Sequence, residues 1–498
     1  MSADPSVVVV GAGLGGLCVG AQLKKAGFDD FVILEKAGKV GGTWRENTYP
    51  GCACDTPVAV YQFSFAKSLN WSHLFPRAAE VQRYTEDLAE MCGLRSHLRL
   101  GEGGASATWD DGRGLWRVKT TTGEIREAQA LVLALGQLNR PQLPEITGRD
   151  SFAGPAFHSA QWNHAVDLTG KRVGVIGSAA SAIQLIPEVA KIASHLEVFQ
   201  RTPNWILPRL DREVTEAEKK VLATAPEVPL SEREHLYLVS DVLFWKAFEY
   251  TEEGRAFYTE MALNHLKIQV PDAELRRELT PDYPIGCKRV LFADDYYPAL
   301  MQPNVSLVTE RIERIVPEGI VTRDGATHKL DVLVYATGFE TTGWHWSVDV
   351  SGRGGARLRE VWKNGPEAYL GITVANFPNL FMIYGPNTNL GHNTITFMIE
   401  RQTEYIVKCL AAMRARDLAS IEVTKVAQDR FNRELQARLA KTTWADPRCS
   451  SWYKTEEGHI TQNWAGHTRE YRERTREVAW TDYVVRSREE EAARIAAK

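Results

Sequence analysis

Two glycine-bearing turns carry the clearest chemistry in this chain. In the first, Gly11, Gly13 and Gly16 fall between an apolar run, Val7 to Val10, and a stretch with Leu14, Leu17, Cys18 and Ala21 at helical spacing. That setting places the turn between a strand and a helix. The first glycine then permits a tight turn, the second lets backbone approach a pyrophosphate, and the third lets the helix pack on the strand. The next strand, "FVILE", ends at Glu35, positioned to accept hydrogen bonds from ribose hydroxyls and to repel a 2′-phosphate. The pattern returns once, at "RVGVIGSAASA", with Gly177, Ser178 and Ser181 in the turn and Ala179 where the middle glycine usually stands. Its second strand runs into "FQRTP", so Arg201, followed by Thr202, replaces the acid. A guanidinium there suits the dianionic 2′-phosphate of NADP. One acid-selected and one phosphate-selected dinucleotide imply FAD and NADPH.

Positioning two such turns requires two βαβ units, and the rest of the chain is consistent with them. Its 498 residues exceed one hydrophobic core and predict two or three packed units. With 44% apolar and 24% charged residues and a net charge of -4, it reads as an ordinary globular protein with no nucleic acid or membrane partner. The start of the chain passes from "MSADPS" directly into the first strand, and no apolar run reaches the roughly 20 residues of a membrane span. A cytoplasmic location is expected. Seven scattered cysteines without metal-site spacing predict reduced thiols, no disulfide framework and no metal; Cys52 and Cys54 read as structural. The fold class is α/β, with two Rossmann-like dinucleotide-binding domains and a helical insertion. The boundaries expected are a first FAD-binding part over 1–140, a linker over 141–165, a first NADPH-binding part over 166–210, the insertion over 211–280, a second NADPH-binding part over 281–345, and a second FAD-binding part with the C-terminal segment over 346–498.

Two longer motifs sharpen the reading. Phe152, Gly154, His158 and Trp162 match F-x-G-x-x-x-H-x-x-x-W, although Asn163 departs from the usual following residue. "GGTWRENTYPGCACD", Gly41 to Asp55, matches [AG]-G-x-W-x-x-x-x-[FY]-P-[GM]-x-x-x-D at every fixed position. With "RTPNW", "CKR", "YATGF", "GPN" and "SWY", the chain resembles the type I Baeyer-Villiger monooxygenases, class B flavoprotein monooxygenases, over nearly its whole length. Within them it looks most like the aryl-ketone-oxidising, 4-hydroxyacetophenone monooxygenase-like branch.

The resemblance implies an FAD-containing, NADPH- and O2-dependent enzyme that turns small ketones into esters or lactones through a flavin C4a-peroxide, as a monomer or homodimer. It marks Arg289 as the active-site arginine and Asp55 as its partner. It places Lys288 with Arg201 and Thr202 around the 2′-phosphate, and Thr43, Trp44 and Asn387 on FAD. Trp464 is expected at the nicotinamide cofactor's ribose, and His158 and Trp162 in a linker that gates domain movement. Leu390, His392 and Asn393 are expected in the substrate pocket. A deprotonated peroxide attacks ketones, whereas the protonated form oxidises sulfur and amine nitrogen. A cation about 4 Å away, at an effective dielectric near 20, favours the anion by roughly 4 kcal/mol. The readings left open are an N- or S-oxygenating flavin monooxygenase, a disulfide-type flavoprotein reductase, and a silent dinucleotide-binding regulator.

Overall fold

The computed structural model describes residues 4–224, 227–341 and 347–496. Two parallel five-stranded sheets organise it. The first has the order 380–382, 130–133, 7–10, 31–35, 98–100. Val7–Val10 is central and buried on both faces, which is why it reads as continuous apolar sequence rather than alternation. Val7 and Val9 pack into the core under the helices Leu14–Lys25 and Ile395–Ala415, while Val8 and Val10 face Trp109 and Trp116 of a four-stranded sheet on the other side.

The second sheet has the order 305–308, 195–199, 172–176, 332–335, 156–158 and is built the same way. Val173 and Val175 meet the helix Ala180–Ala190; Ile176 and Leu333 meet the antiparallel strands 312–329. Its outer strand, Ala156–His158, comes from the stretch expected to be a linker. Each motif residue there has a packing reason. Phe152 joins the core formed by Ile315, Ile320 and Leu330. A Cβ on Gly154 would lie 2.4 Å from the Asp331 carbonyl oxygen, so only glycine lets this strand approach. Trp162 stands edge-on to Phe157, with ring centroids 5.1 Å apart.

Between residues 211 and 280 lie the helices Glu216–Thr224, Glu227–Val242, Glu252–Gln269 and Ala273–Glu278. They are fastened to both halves. Arg233 donates to the carbonyls of Ala59, Val60 and Gln62. Asp241, buried, accepts from the backbone N–H and the hydroxyl of Thr468 at 2.6 and 2.7 Å and lies 3.5 Å from the buried ring of His392. Burial opposes its charge, yet the hydrogen bonds from His392 and Thr468 hold its carboxyl down to about 2. Toward the second sheet, the His265 ring meets the Ala293 carbonyl oxygen at 2.9 Å and Gln269 donates to Asp294. Among the described residues no helix is long and apolar enough to cross a membrane, and no His, Cys, Asp or Glu cluster could hold a metal ion.

The expectation of seven reduced thiols is corrected. Cys287 and Cys449 form a disulfide with their Cα atoms 5.2 Å apart, while Cys18, Cys52, Cys54, Cys92 and Cys409 are free. The pair is 162 residues apart in sequence, so no local spacing announces it. Alkylation of denatured, unreduced protein should label five cysteines, and reduction should raise the number to seven; labelling of all seven without reductant would remove the crosslink. In the chain-entropy picture a loop of this length contributes about 5 kcal/mol, so Cys449→Ser should lower the thermal midpoint clearly.

Candidate active site

The two turns share a backbone and differ in what they leave bare. Gly11 has φ +105° and Gly177 φ +118°, and a Cβ on either would stand 2.4 Å from a carbonyl oxygen, of Ala134 or Ala336. A Cβ on Gly16 would meet the Gly11 carbonyl oxygen at 1.8 Å, so helix and strand touch only through glycine. Gly13 is different. Its φ of -77° and ψ of -170° suit any residue, and its nearest neighbour would be the Gly42 Cα at 3.6 Å. The protein itself does not require glycine there; the bare position leaves the N-terminus of Leu14–Lys25 open to a phosphate. Ala179 holds the same conformation, φ -90° and ψ -160°, before the helix Ala180–Ala190, and adds only a methyl group to that approach.

Glu35 is buried across the first turn. It accepts from the backbone N–H groups of Ala12 and Ala37 at 2.9 and 3.0 Å and from Arg45 at 3.0 Å. A carboxylate has about four acceptor positions, which leaves capacity for a ribose hydroxyl. Asn387 donates to the carbonyls of Ile460 and Asn463, while its side-chain oxygen, like that of buried Gln137, has no partner within the protein. Such orphaned acceptors, with the bare turn, fit a large polar cofactor laid along the first sheet.

The segment Gly41 to Asp55 leaves this half and is fastened to the other. Thr43 and Trp44 open the short helix Thr43–Glu46, and the Trp44 indole donates to the Tyr61 hydroxyl at 3.1 Å. The Tyr49 hydroxyl donates to the side-chain oxygen of Gln184, whose amide in turn donates to the Ala53 carbonyl, both at 2.9 Å. Ser181, on the same helix, is a further hydrogen-bonding neighbour of Tyr49. Asp55 then meets Arg289 through two parallel contacts, Nε to Oδ2 at 2.8 Å and Nη2 to Oδ1 at 2.7 Å. The Asp55 carboxylate raises the Arg289 pKa against the opposing effect of burial, so the guanidinium is permanently charged. Both side chains keep a minor exposed fraction, 36% for Arg289 and 24% for Asp55.

The second turn closes on a cationic corner. The Ser178 hydroxyl donates to the Thr202 carbonyl at 3.1 Å, and Asn204 donates to the Ser178 carbonyl at 2.9 Å, which tie the turn to the segment after Arg201. Lys288 lies over the Tyr283 ring at 4.6 Å. Burial and the charge of Arg201 lower its pKa, so two cations share a corner that an anion would relieve. His158 is buried at the end of the outer strand; its Nδ1 accepts from the Ala160 N–H at 3.1 Å and its ring stands edge-on to Phe339. Burial lowers its pKa and so favours the neutral ring, against the opposing backbone of Gly338.

Two expectations are corrected. Trp464 is 1% exposed, stacked near Phe431 and Tyr471 and covered by Arg438 and Arg474, with its N–H directed at the His467 carbonyl. No face of it is free for a cofactor. Trp452 of "SWY", half-buried and 4.5 Å from the Tyr453 ring, is the tryptophan of this segment that keeps accessible surface. Leu390, His392 and Asn393 do not line an open pocket either: the first two are buried, and Asn393 donates to Tyr237, so the loop supports the insertion. Sequence reasoning missed Gln184, Tyr384, Tyr453 and Arg209, which donates to the Cys54 carbonyl at 2.9 Å. Gln184 and Arg209 make their contacts across more than 130 residues and carry no motif, whereas Tyr384 and Tyr453 stand beside or within the short "GPN" and "SWY" segments, whose tyrosines have no expected role. A cavity of about 770 Å³ lies behind the 41–55 segment, lined by Trp44, Arg45, Tyr49, Gln184 and Arg209. Asp55 and Arg289 do not line it.

Two dinucleotide-type sheets, joined at a fixed arginine–carboxylate pair next to a cationic corner, define a two-dinucleotide flavoprotein oxidoreductase. Residues 8–224 match the family model described as pyridine nucleotide-disulphide oxidoreductase. A Baeyer-Villiger monooxygenase of Pseudomonas aeruginosa is 40% identical over 480 residues, which span 96% of this chain and 90% of that protein. Among solved structures, OTEMO in complex with FAD and NADP superposes with a TM-score of 0.88 at 28% identity, covering 97% of this chain and 100% of that one. Oxidised steroid monooxygenase bound to NADP gives 0.87 at 32% identity, covering 97% and 99%. The chain belongs to the Baeyer-Villiger monooxygenase family. Charge-assisted contacts to a phosphate contribute roughly 1.5–3 kcal/mol, so Arg201→Ala should raise the NADPH dissociation constant about 10- to 100-fold and leave that of NADH within about threefold. Equal losses for both cofactors would place the 2′-phosphate elsewhere.

Proposed function

We propose that this chain is an FAD-containing, NADPH- and O2-dependent monooxygenase that inserts one oxygen atom beside a ketone carbonyl and releases an ester or lactone. The observation that carries the reading is the doubly hydrogen-bonded Asp55–Arg289 pair at the junction of the two halves. FAD would lie on Gly11, Gly13, Gly16 and Glu35, with Thr43, Trp44 and Asn387 along its length; NADPH would use Gly177, Ser178, Ser181, Arg201, Thr202 and Lys288. The reduced flavin, when bound, supplies the activation of oxygen.

The chain's own residues decide what that oxygen attacks. With Nε and one Nη2 hydrogen committed to Asp55, Arg289 retains its Nη1 hydrogens and its charge for an anion in the cleft. A cation that cannot release its proton keeps an adjacent oxygen nucleophile ionised and then stabilises the negative charge that moves to the ketone oxygen. Asp55 fixes the plane of the guanidinium. Trp452 takes the cofactor-facing part first given to Trp464. His158, neutral and wedged against the turn at Gly338 and Phe339, would transmit movement of the second sheet, and the domain limits stated from sequence are part of the same reading.

The substrate class extends to aryl ketones, as in the 4-hydroxyacetophenone monooxygenase-like branch. The motif resemblance supports that choice, and a panel of aryl, cyclic and linear ketones scored by product mass tests it. With purified, FAD-loaded protein, Arg289→Ala should consume NADPH at near wild-type initial rate while ester formation falls at least about 100-fold. Sulfoxide formation from a thioether, which needs no anion, should persist. Wild-type protein that oxygenates only the thioether or an amine would shift the function to N- or S-oxygenation.

A further inference from the structure

We propose that Gln184 is a positioning residue that couples occupancy of the second nucleotide turn to the Asp55–Arg289 pair; this rests on the cofactor and function reading above. The motif segment passes Gln184 as a short extended strand with one edge already paired. Along that edge the Cys52 carbonyl accepts from the Ala78 N–H and the Cys54 N–H donates to the Pro76 carbonyl, both at 2.9 Å, which makes an antiparallel bridge between Ala53 and Arg77. Successive residues of a strand turn their peptide groups to opposite edges, so the Ala53 N–H and C=O face away from the bridge. Gln184 meets both. Its side-chain oxygen accepts from the Ala53 N–H at 3.3 Å, and its amide donates to the Ala53 carbonyl at 2.9 Å. A carboxamide holds a donor and an acceptor in one plane, as a peptide group does, and so completes the free edge of the strand.

The neighbouring residues show that this is a built dock. The Tyr49 hydroxyl donates to the same Gln184 oxygen at 2.9 Å, and Tyr49 is buried in the core of the second sheet, with Cys52 packed against it. Gly51 has φ +80°, and a Cβ on it would stand 2.3 Å from the Gln184 backbone carbonyl oxygen. Only glycine lets the segment lie so close to the helix. The cavity of about 770 Å³ borders Tyr49, Gly51, Cys52 and Gln184, so on that side hydrogen bonds rather than packing fix the segment. Chain from the first half is therefore held on the second half at Tyr49, Gly51 and Ala53, and Asp55 follows two residues later.

The helix that carries Gln184 begins at the second nucleotide turn. Gln184 is four residues beyond its first position, Ala180, about 6 Å along the axis. A phosphate seated at Gly177 and Ser178 thus rests on the same turn of helix that grips Ala53. Ordering of that turn reaches Arg289 through Ala53, Asp55 and the two parallel contacts of the ion pair. Gln184 needs no contact with substrate for this; it acts through Asp55.

Gln184→Met keeps the length and volume of the side chain and removes both amide groups. Hydrogen exchange of FAD-loaded protein, with and without NADP+, reads the coupling directly. In wild type, NADP+ should slow exchange at least about threefold in peptides covering 177–183 and also in those covering 49–55; in the variant only the first effect should remain. Protection of 49–55 that survives in the variant, or that is missing in wild type while 177–183 is protected, would overturn the proposal. Absence of protection at 177–183 in wild type would overturn the cofactor assignment and the coupling with it. A merely structural lesion lowers every rate together. Here the NADPH KM and the initial rate of NADPH consumption should stay within about threefold, while the share of consumed NADPH recovered as ester falls about 5- to 10-fold; an unchanged share would also sink the idea. Gln184→Glu retains the acceptor and turns the donor into a second acceptor facing the Ala53 carbonyl, so it should lose the NADP+ effect on 49–55 in the same way and serves where Met fails to fold. Should wild-type protein make no ester, the functional reading fails, and the exchange comparison still decides whether Gln184 couples the turn to the motif segment.

Discussion

The contact between Arg289 and Asp55 ties together residues 234 positions apart, each carried by a different half of the molecule. A charge pair this enclosed costs desolvation that mutual attraction only partly offsets, so its presence is a weak argument for stability. Its worth lies in what it makes unnecessary. With the carboxylate occupying one edge of the guanidinium, the other edge is held in a fixed plane and stays charged, which is the preorganisation that the proposed ketone chemistry would use. Other contacts converge on the pair: Gln184 clasps Tyr49 and Ala53, Arg209 holds the Cys54 carbonyl, and the Cys287–Cys449 disulfide anchors the turn that leads into Arg289.

The two nucleotide turns show how one backbone is set to two tasks. In each, a left-handed glycine passes under a carbonyl of the neighbouring strand, and the following extended residue opens a helix. The two units differ at the end of the second strand. Glu35 is held by two backbone N–H groups and an arginine, whereas Arg201 is left exposed with Lys288 nearby. Two like charges in proximity are unfavourable without an anion between them, so the corner is poised for phosphate in a way that the Glu35 site is not.

What was legible in the sequence was local. Strand, turn and helix follow one another within some 30 residues around Gly11 and Gly177, and their periodicity and punctuation survive in the order of the letters. The ion pair was legible only through the family resemblance, in which one long motif ends at Asp55 and the short "CKR" carries Arg289. The rest required topology. The outer strand Ala156–His158 is three residues long and pairs with a strand about 180 positions on, a range at which no hydrophobic alternation can be read. Trp452 and Trp464 are both aromatic residues in a glycine- and polar-rich segment, and only packing decides that one is enclosed by Arg438 and Tyr471 while the other borders Tyr453. The disulfide escaped for the same reason.

The insertion changes how movement between the halves is to be understood. Had it belonged only to the NADP side, it would ride with that sheet. Instead Arg233 grips the carbonyls of residues 59, 60 and 62, close to Trp44 and Tyr61, and Asp241 is enclosed by Thr468 and His392, while His265 and Gln269 hold the segment before Asp295. Buried groups paired this way are expensive to separate, because each partner left behind is an unsatisfied polar atom. The stretch between the helices Glu227–Val242 and Glu252–Gln269 is fastened to the first half as well, through the buried Trp245, Ala247 and Phe248 and the backbone bonds of Phe248 and Tyr250 to Thr443 and Lys441. The insertion thus bridges the two halves whose junction the Asp55–Arg289 pair closes, and every separation of them would strand buried polar groups on both sides.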